Sequence, residues 1–129
     1  MENNKLKILY VDDEQINLDL LSSILYREYE IHTVLTPMEG LELLKNQKID
    51  LIITDQKMPD MTGVEFLEEV HKIYPTIPPH RIMTSGYSKP DSIDKAFEQF
   101  NLCSFIEKPW NIIKLKKTIN EVINMKINN

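Results

Sequence analysis

Two residue patterns alternate from one end of this 129-residue chain to the other. Short runs rich in Ile, Leu and Val give way to longer segments whose apolar residues recur at helical spacing. That alternation leaves few options, because strands taking turns with helices build a parallel sheet covered on both faces. The runs predict strands over residues 6–11, 30–35, 50–54, 81–84 and 104–107. Ile16, Leu20 and Ile24, with Leu18, Leu21 and Leu25, give the apolar face of a first helix. Pro37 suits the first turn of a second, which carries Leu41, Leu43 and Leu44 and tolerates Gly40 at a cost of about 1 kcal/mol relative to Ala. A third uses Phe66, Leu67, Val70 and Ile73 and stops near Tyr74, since Pro75 follows. Ser88 with Asp91 reads as a capping box, with Pro90 early in a fourth helix running through Ala96, Phe97 and Phe100. Asn111 caps a fifth, built on Ile112, Leu115, Ile119 and Val122. Asn128 and Asn129 read as a polar end that frays.

Five strands, five helices and right-handed crossovers predict an α/β, doubly wound, five-stranded parallel sheet in three layers, of flavodoxin-like order 2-1-3-4-5. One domain over 1–129, with its core at about 5–126, accommodates all of it, since 42% hydrophobic residues suffice for a core without disulfides or a structural metal. No run approaches the about 20 apolar residues of a membrane span, and the apolar Ile8 to Val11 is cut by Asp12 and Asp13 before it could serve as a signal peptide. With the lone Cys103, this predicts a cytoplasmic protein. Twenty acidic residues against fifteen basic ones give a net charge of −5, with Lys and Arg scattered, so direct nucleic-acid binding has no electrostatic support.

In such a sheet ligands bind outside the carboxyl ends of the strands. The residues placed there are Asp12 and Asp13 after the first strand, Asp55 after the third, Thr84 and Ser85 after the fourth, and Lys108 after the fifth. Three carboxylates in one shallow pocket repel, each pair at about 4 Å costing on the order of 4 kcal/mol at an effective dielectric near 20. A cation is therefore expected among them, and Mg²⁺ fits best, as a hard ion held by one or two carboxylates together with phosphate oxygens. Asp55 is the candidate nucleophile, able to carry a phosphoryl group as a mixed anhydride. Lys108 supplies a second positive partner, and the Ser85 hydroxyl can hydrogen-bond the bound group. Taken singly, each residue has a plainer use: Asp12 and Asp13 as a turn and helix cap, Asp55 as a loop cap, Lys108 as a solvated lysine.

Asp12-Asp13-Glu14 after a first strand, Asp55-Gln56-Lys57-Met58-Pro59 followed by Gly63, Ser85-Gly86-Tyr87 after a fourth strand and Lys108-Pro109 after a fifth stand in order along nearly the whole chain. Together they resemble the receiver domain of two-component response regulators. The resemblance implies a phosphoacceptor signalling domain and not a metabolic enzyme, with weak self-phosphorylation and self-dephosphorylation. It implies phosphotransfer from a sensor histidine kinase or phosphotransfer protein onto Asp55, with Mg²⁺ held by Asp13, Asp55 and the backbone carbonyl of Lys57 and by Asp12 mainly through a water. It further implies that Ser85 and Phe105 switch together and that the fourth helix, fifth strand and fifth helix form the surface that signals. The recipient would be a downstream protein, an output domain of a longer chain, or a second copy in a phosphorylation-dependent homodimer.

Only one of the adjacent hydroxyls Thr84 and Ser85 can face the pocket. Ser85 is preferred, because Ser-Gly-Tyr matches the family's pattern and Gly86 leaves room. Lys57 and Tyr87 fall at the variable positions flanking the site and bear on signal lifetime. A cis Lys108-Pro109 bond is expected from the family. Trp110 reads either as a partial cover for the fifth helix or as an exposed docking aromatic.

Overall fold

The computed structural model describes residues 5–76 and 78–125. Five strands, β1 (Lys7–Val11), β2 (Glu30–Val34), β3 (Leu51–Asp55), β4 (His80–Ser85) and β5 (Leu102–Glu107), form one parallel sheet of order β2-β1-β3-β4-β5. They alternate with α1 (Gln15–Leu25), α2 (Pro37–Asn46), α3 (Gly63–Ile73), α4 (Ile93–Gln99) and α5 (Ile112–Ile123). This is the predicted flavodoxin-like α/β sandwich. The polar residues Asn128 and Asn129, and Lys126 at the predicted core boundary, lie outside the described residues. Among the described residues no helix is long and apolar enough to cross a membrane.

Period-two alternation along buried strands divides the core into two halves. Ile8, Tyr10, Leu51, Ile53 and Ile82 point to one face, where Leu18, Leu21 and Leu25 of α1 meet Leu115, Ile119 and Val122 of α5. Leu9, Val11, Ile52 and Met83 point to the other, packed by α2, α3 and α4 through Leu44, Phe66, Leu67, Val70, Ile93 and Ala96. β3, central in the sheet, is buried at every residue. The third strand therefore delivers Asp55 to the sheet edge from a fully buried part of the core.

Three helix readings need correction, the simplest being Ile112, expected on the apolar face of α5 but 52% exposed while Leu115, Ile119 and Val122 are buried. On α1 the buried stripe is Leu18, Leu21 and Leu25, whereas Ile16 and Leu20 are 75% and 48% exposed, because the two stripes cannot both face the sheet. The expected capping box of Ser88 and Asp91 does not form. α4 begins at Ile93, with Ser92 at the N-cap making no side-chain cap bond, and Pro90 belongs to the preceding turn, its carbonyl accepting the Ile93 N–H at 3.0 Å. The helix is set by its apolar anchors, since only Ile93, Ala96 and the C-capping Phe100 reach the core while Phe97 stays largely exposed.

Asn111 does cap α5, accepting the Lys114 N–H at 3.0 Å. Thr36 and Thr62 cap α2 and α3, Thr62 in a reciprocal capping box with Glu65. Gly40 packs tightly: a Cβ there would lie 3.2 Å from side-chain atoms of both Phe66 and Val11, so the glycine lets α2 approach the sheet without displacing them. The Lys108-Pro109 bond is cis, as is Pro78-Pro79.

Candidate functional site

The parallel sheet aligns the carboxyl ends of β1, β3, β4 and β5 along one edge, where an open depression of about 500 Å³ is lined by Asp13, Glu14, Asp55, Lys57, Gly86, Tyr87 and Lys108. Carboxylate oxygens of Asp12, Asp13 and Asp55 lie within 4.8 Å of one another. Lys108 Nζ bridges two of these groups, donating to Asp12 Oδ2 at 2.8 Å and to Asp55 Oδ1 at 3.0 Å. The backbone places it there: the Lys108 N–H donates to the Ser85 carbonyl at 2.9 Å, fastening the β5–α5 connection to the end of β4.

Asp55 is 6% exposed. Burial, reinforced by the neighbouring Asp12 charge, pushes its carboxyl up to about 6 despite the opposing pull of Lys108. Burial works against the Lys108 charge as well, but its bonds to Asp12 and Asp55 outweigh that and hold its ammonium above the usual lysine value. With all three acids ionised, one lysine leaves the pocket with two negative charges uncompensated. A hard divalent cation matches that deficit in charge and in ligand type, so the residues present fit Mg²⁺.

Asp12 is the buried anchor of the cluster. Its Oδ1 accepts the Glu14 N–H at 2.9 Å in the turn that opens α1. Its Oδ2 accepts from Tyr10 Oη and from Asn17 Nδ2 as well as from Lys108. The plain turn reading of Asp12 is thus part of the truth, and one carboxylate serves both turn and pocket. Tyr10 and Asn17 are not legible in the sequence as partners of Asp12. Tyr10 stands two positions before Asp12 on the same face of β1, and that period-two relation is the signal that could have pointed to it.

The loop after Asp55 folds back tightly. Gly63 N–H donates to the Gln56 carbonyl at 2.9 Å and Val64 N–H to Gln56 Oε1 at 3.0 Å. A Cβ on Gly63 would come within 2.4 Å of the Asp55 carbonyl, so only glycine permits this approach. Lys57 projects from the loop to the rim, where its ammonium sits 4.5 Å from the centroid of the exposed Tyr87 ring.

The two hydroxyls at the end of β4 have different partners. Thr84 Oγ1 accepts the Trp110 indole N–H at 2.9 Å, which commits it to the α1/α5 side. The Ser85 hydroxyl, buried on the opposite face, accepts the Tyr87 N–H at 3.1 Å. Trp110 is half-buried against the α1/α5 core, edge-on to Tyr10, which favours the covering role over the docking one. Phe105 is half-buried too, packed on the α2/α3/α4 core beside α4.

Sheet order, acidic pocket and bridging lysine are together the features of a receiver class of signalling domain. The family model for the response regulator receiver domain matches residues 8–120, and the chain belongs to that family. It is 35% identical over 123 residues to the hydrogenase transcriptional regulatory protein HoxA of Cupriavidus necator, covering 95% of this chain and 25% of that protein. It is 33% identical over 124 residues to the transcriptional regulatory protein GlrR of Escherichia coli, covering 95% of this chain and 27% of that one. The chain therefore spans about a quarter of the length of these relatives. Among solved structures, a CheY-like response regulator receiver domain protein from Methanospirillum hungatei superposes with a TM-score of 0.85 at 33% identity, over 94% of this chain and 95% of that one. The response regulator TrrA from Thermotoga maritima, solved in complex with Mg²⁺–BeF, superposes with a TM-score of 0.80 at 29% identity, over 91% and 98% of the two chains.

Proposed function

We propose that Asp55 accepts a phosphoryl group from the phosphohistidine of a sensor histidine kinase or phosphotransfer protein. One observation carries the reading: Asp55 sits in an acid cluster that a single lysine bridges, with room beside it for a cation and a phosphoryl group. An Asp55 carboxylate oxygen attacks phosphorus, the P–N bond to the donor imidazole breaks, and that nitrogen leaves with the bonding pair and takes up a proton. Asp13, Asp55 and the Lys57 carbonyl would hold Mg²⁺, and Asp12 would contribute through a water. When bound, the ion supplies positive charge to the phosphoryl oxygens and draws Asp55 into its ionised, nucleophilic form. Lys108 pairs with a phosphoryl oxygen and Ser85 donates its hydroxyl to another.

The added charge biases a two-state packing in which Ser85 and Phe105 move together, altering the α4–β5–α5 surface. That surface signals to a downstream protein, to an output domain, or to a second copy of the chain. The domain occupies 1–129, works in the cytoplasm and acts as a switch and not as a metabolic enzyme, with slow self-phosphorylation and self-dephosphorylation as its only turnover. TrrA, solved with Mg²⁺–BeF, supports the choice of ion.

The test is intact mass after incubation with Mg²⁺ and acetyl phosphate. One phosphoryl group is expected, lost in Asp55→Asn and lost with chelator. If no group is gained from acetyl phosphate or from a phosphorylated histidine donor, the chain is an interaction module that does not use phosphate.

A further inference from the structure

Three side chains beneath the pocket join it to α5 by a route that involves neither Ser85 nor Phe105. Tyr10, fully buried on β1, donates its hydroxyl to Asp12 Oδ2. Its ring meets Trp110 edge-on, with centroids 5.9 Å apart and planes at 66°. Trp110 in turn donates its indole N–H to Thr84 Oγ1, and Thr84 stands opposite Asp55 in the register of β3 and β4. Trp110 directly precedes Asn111, whose side chain caps α5. Buried phenol and indole groups must each find a hydrogen-bond partner, and here one partner is a pocket carboxylate and the other lies on the strand beside the acceptor.

We propose that Tyr10, Trp110 and Thr84 form a positioning chain through which the first turn of α5 senses the charge held in the acidic pocket. The inference rests on the phosphoacceptor reading only for the identity of the group that fills the pocket. Asp12 Oδ2 is shared among Tyr10, Lys108 and Asn17. Charge arriving beside Asp12 or Asp55 draws on Lys108 and on that oxygen, and so changes the hold on Tyr10. The Tyr10 ring is the wall on which Trp110 rests, so a shift in the phenol is passed to the indole. Trp110 then either keeps its bond to Thr84, with Asn111 in capping position, or releases it and loosens the first turn of α5. These alternatives are discrete, as a two-state coupling element requires. Ile112 and Ile113 occupy that turn at 52% and 81% exposure, so their presentation to a partner is the property the chain controls.

Trp110 is the protein's only tryptophan, so its emission reports on the chain directly. The full chain, Tyr10→Phe and Thr84→Val are compared with Mg²⁺ alone and with Mg²⁺ plus acetyl phosphate. Trp110 emission, amide exchange over 111–118 and intact mass are read on the same samples, after circular dichroism has confirmed folding. Tyr10→Phe keeps the ring contact and drops the hydroxyl; Thr84→Val keeps the shape and drops the acceptor. In the parent chain filling the pocket should change α5 exchange by about fivefold, the lower end of ordinary coupling between sites, together with emission. Both variants should still reach the phosphorylated mass, whatever the rate, while the two responses flatten. Responses of parental size in both variants overturn the chain. Absence of a mass gain in the parent overturns the phosphoacceptor reading instead, and the Mg²⁺ arm still decides: an emission change lost in Tyr10→Phe upholds the chain, and no change, or an equal one, overturns it.

Discussion

β4 carries a buried charged or hydroxyl group at each end, and the two ends are built on opposite principles. At the amino edge Arg81 is wholly buried and, among the described residues, has no carboxylate partner. Its Nε donates to the Pro79 carbonyl at 3.0 Å, Nη1 to Phe100 at 3.0 Å and Nη2 to Tyr74 at 2.7 Å. Tyr74 and Phe100 are the C-caps of α3 and α4, so the guanidinium meets the negative ends of two helices. Burial lowers Arg81 only to about 10, leaving it cationic at neutral pH. At the carboxyl edge three acids cluster and one lysine pairs with two of them, Asp12 and Asp55. The amino edge is electrostatically complete and ties two helix ends to the sheet. The carboxyl edge is incomplete until something positive enters, and an incomplete site is what a switch needs.

The contrast breaks most visibly if Lys108 is removed. Lys108→Ala should slow phosphoryl uptake from acetyl phosphate about 10²-fold or more, the usual cost of losing a fixed positive or donor group at developing charge. A loss under threefold, timed by intact mass, would make the bridge incidental. The second blow falls at the other edge. Arg81→Met leaves three carbonyls without their buried donor and should lower unfolding stability by about 2–4 kcal/mol in urea titrations, with phosphoryl uptake by the folded fraction unchanged. A cost below about 1 kcal/mol would mean that water or a small rearrangement replaces the guanidinium.

The incompleteness of the carboxyl edge has a signed pH dependence. Unfolded Asp55 releases its proton near 3.8, while the folded residue holds it to about 6. Between these values the folded state binds more protons, so without metal this group's contribution makes stability fall as pH rises from about 4 to 6, and the deficit persists above 6. Asp55→Asn should therefore stabilise the metal-free protein by about 1–3 kcal/mol at pH 7, part of the gain being offset by the bond lost to Lys108, and by nothing at pH 3.5. Mg²⁺ at 100 times its dissociation constant should raise parental stability by about 2.7 kcal/mol and raise Asp55→Asn by less. A stabilisation equally large at pH 3.5 would show that the effect is packing and not charge.

The sheet and its order were readable because buried parallel strands announce themselves as unbroken Ile, Leu and Val runs and leave one arrangement of the crossovers. The clustering of Asp12, Asp13, Asp55 and Lys108 was readable because strand ends fix where these side chains must emerge. Helix faces and caps were less so. α1 offers two apolar stripes, and only packing against β1 and β2 selects Leu18, Leu21 and Leu25 over Ile16 and Leu20. Ser88, Pro90 and Asp91 carry good local capping chemistry, but α4 takes its start from Ile93 and Ala96, so tertiary contact overrides the local signal. Arg81 was invisible as a structural centre because its partners are backbone carbonyls 2, 7 and 19 positions away, which no side-chain pattern encodes.

Thr62 gives the mildest way to sharpen the comparison. Its hydroxyl accepts the Glu65 N–H at 3.1 Å while Glu65 Oε1 accepts the Thr62 N–H at 2.9 Å, starting α3 directly after the loop that carries Lys57. Removing such a cap costs about 1 kcal/mol, spent at a helix end close to the acceptor and far from Arg81. Thr62→Ala should thus lower the urea midpoint by a small fraction of the Arg81→Met effect, yet speed amide exchange at residues 63–66 and weaken Mg²⁺ binding measurably by calorimetry, since the loop from Gln56 to Thr62 loses its distal anchor. If exchange speeds up while Mg²⁺ affinity is unchanged, the bonds of Gly63 and Val64 to Gln56 hold the loop by themselves, and the carboxyl edge is stiffer than its charge imbalance suggests.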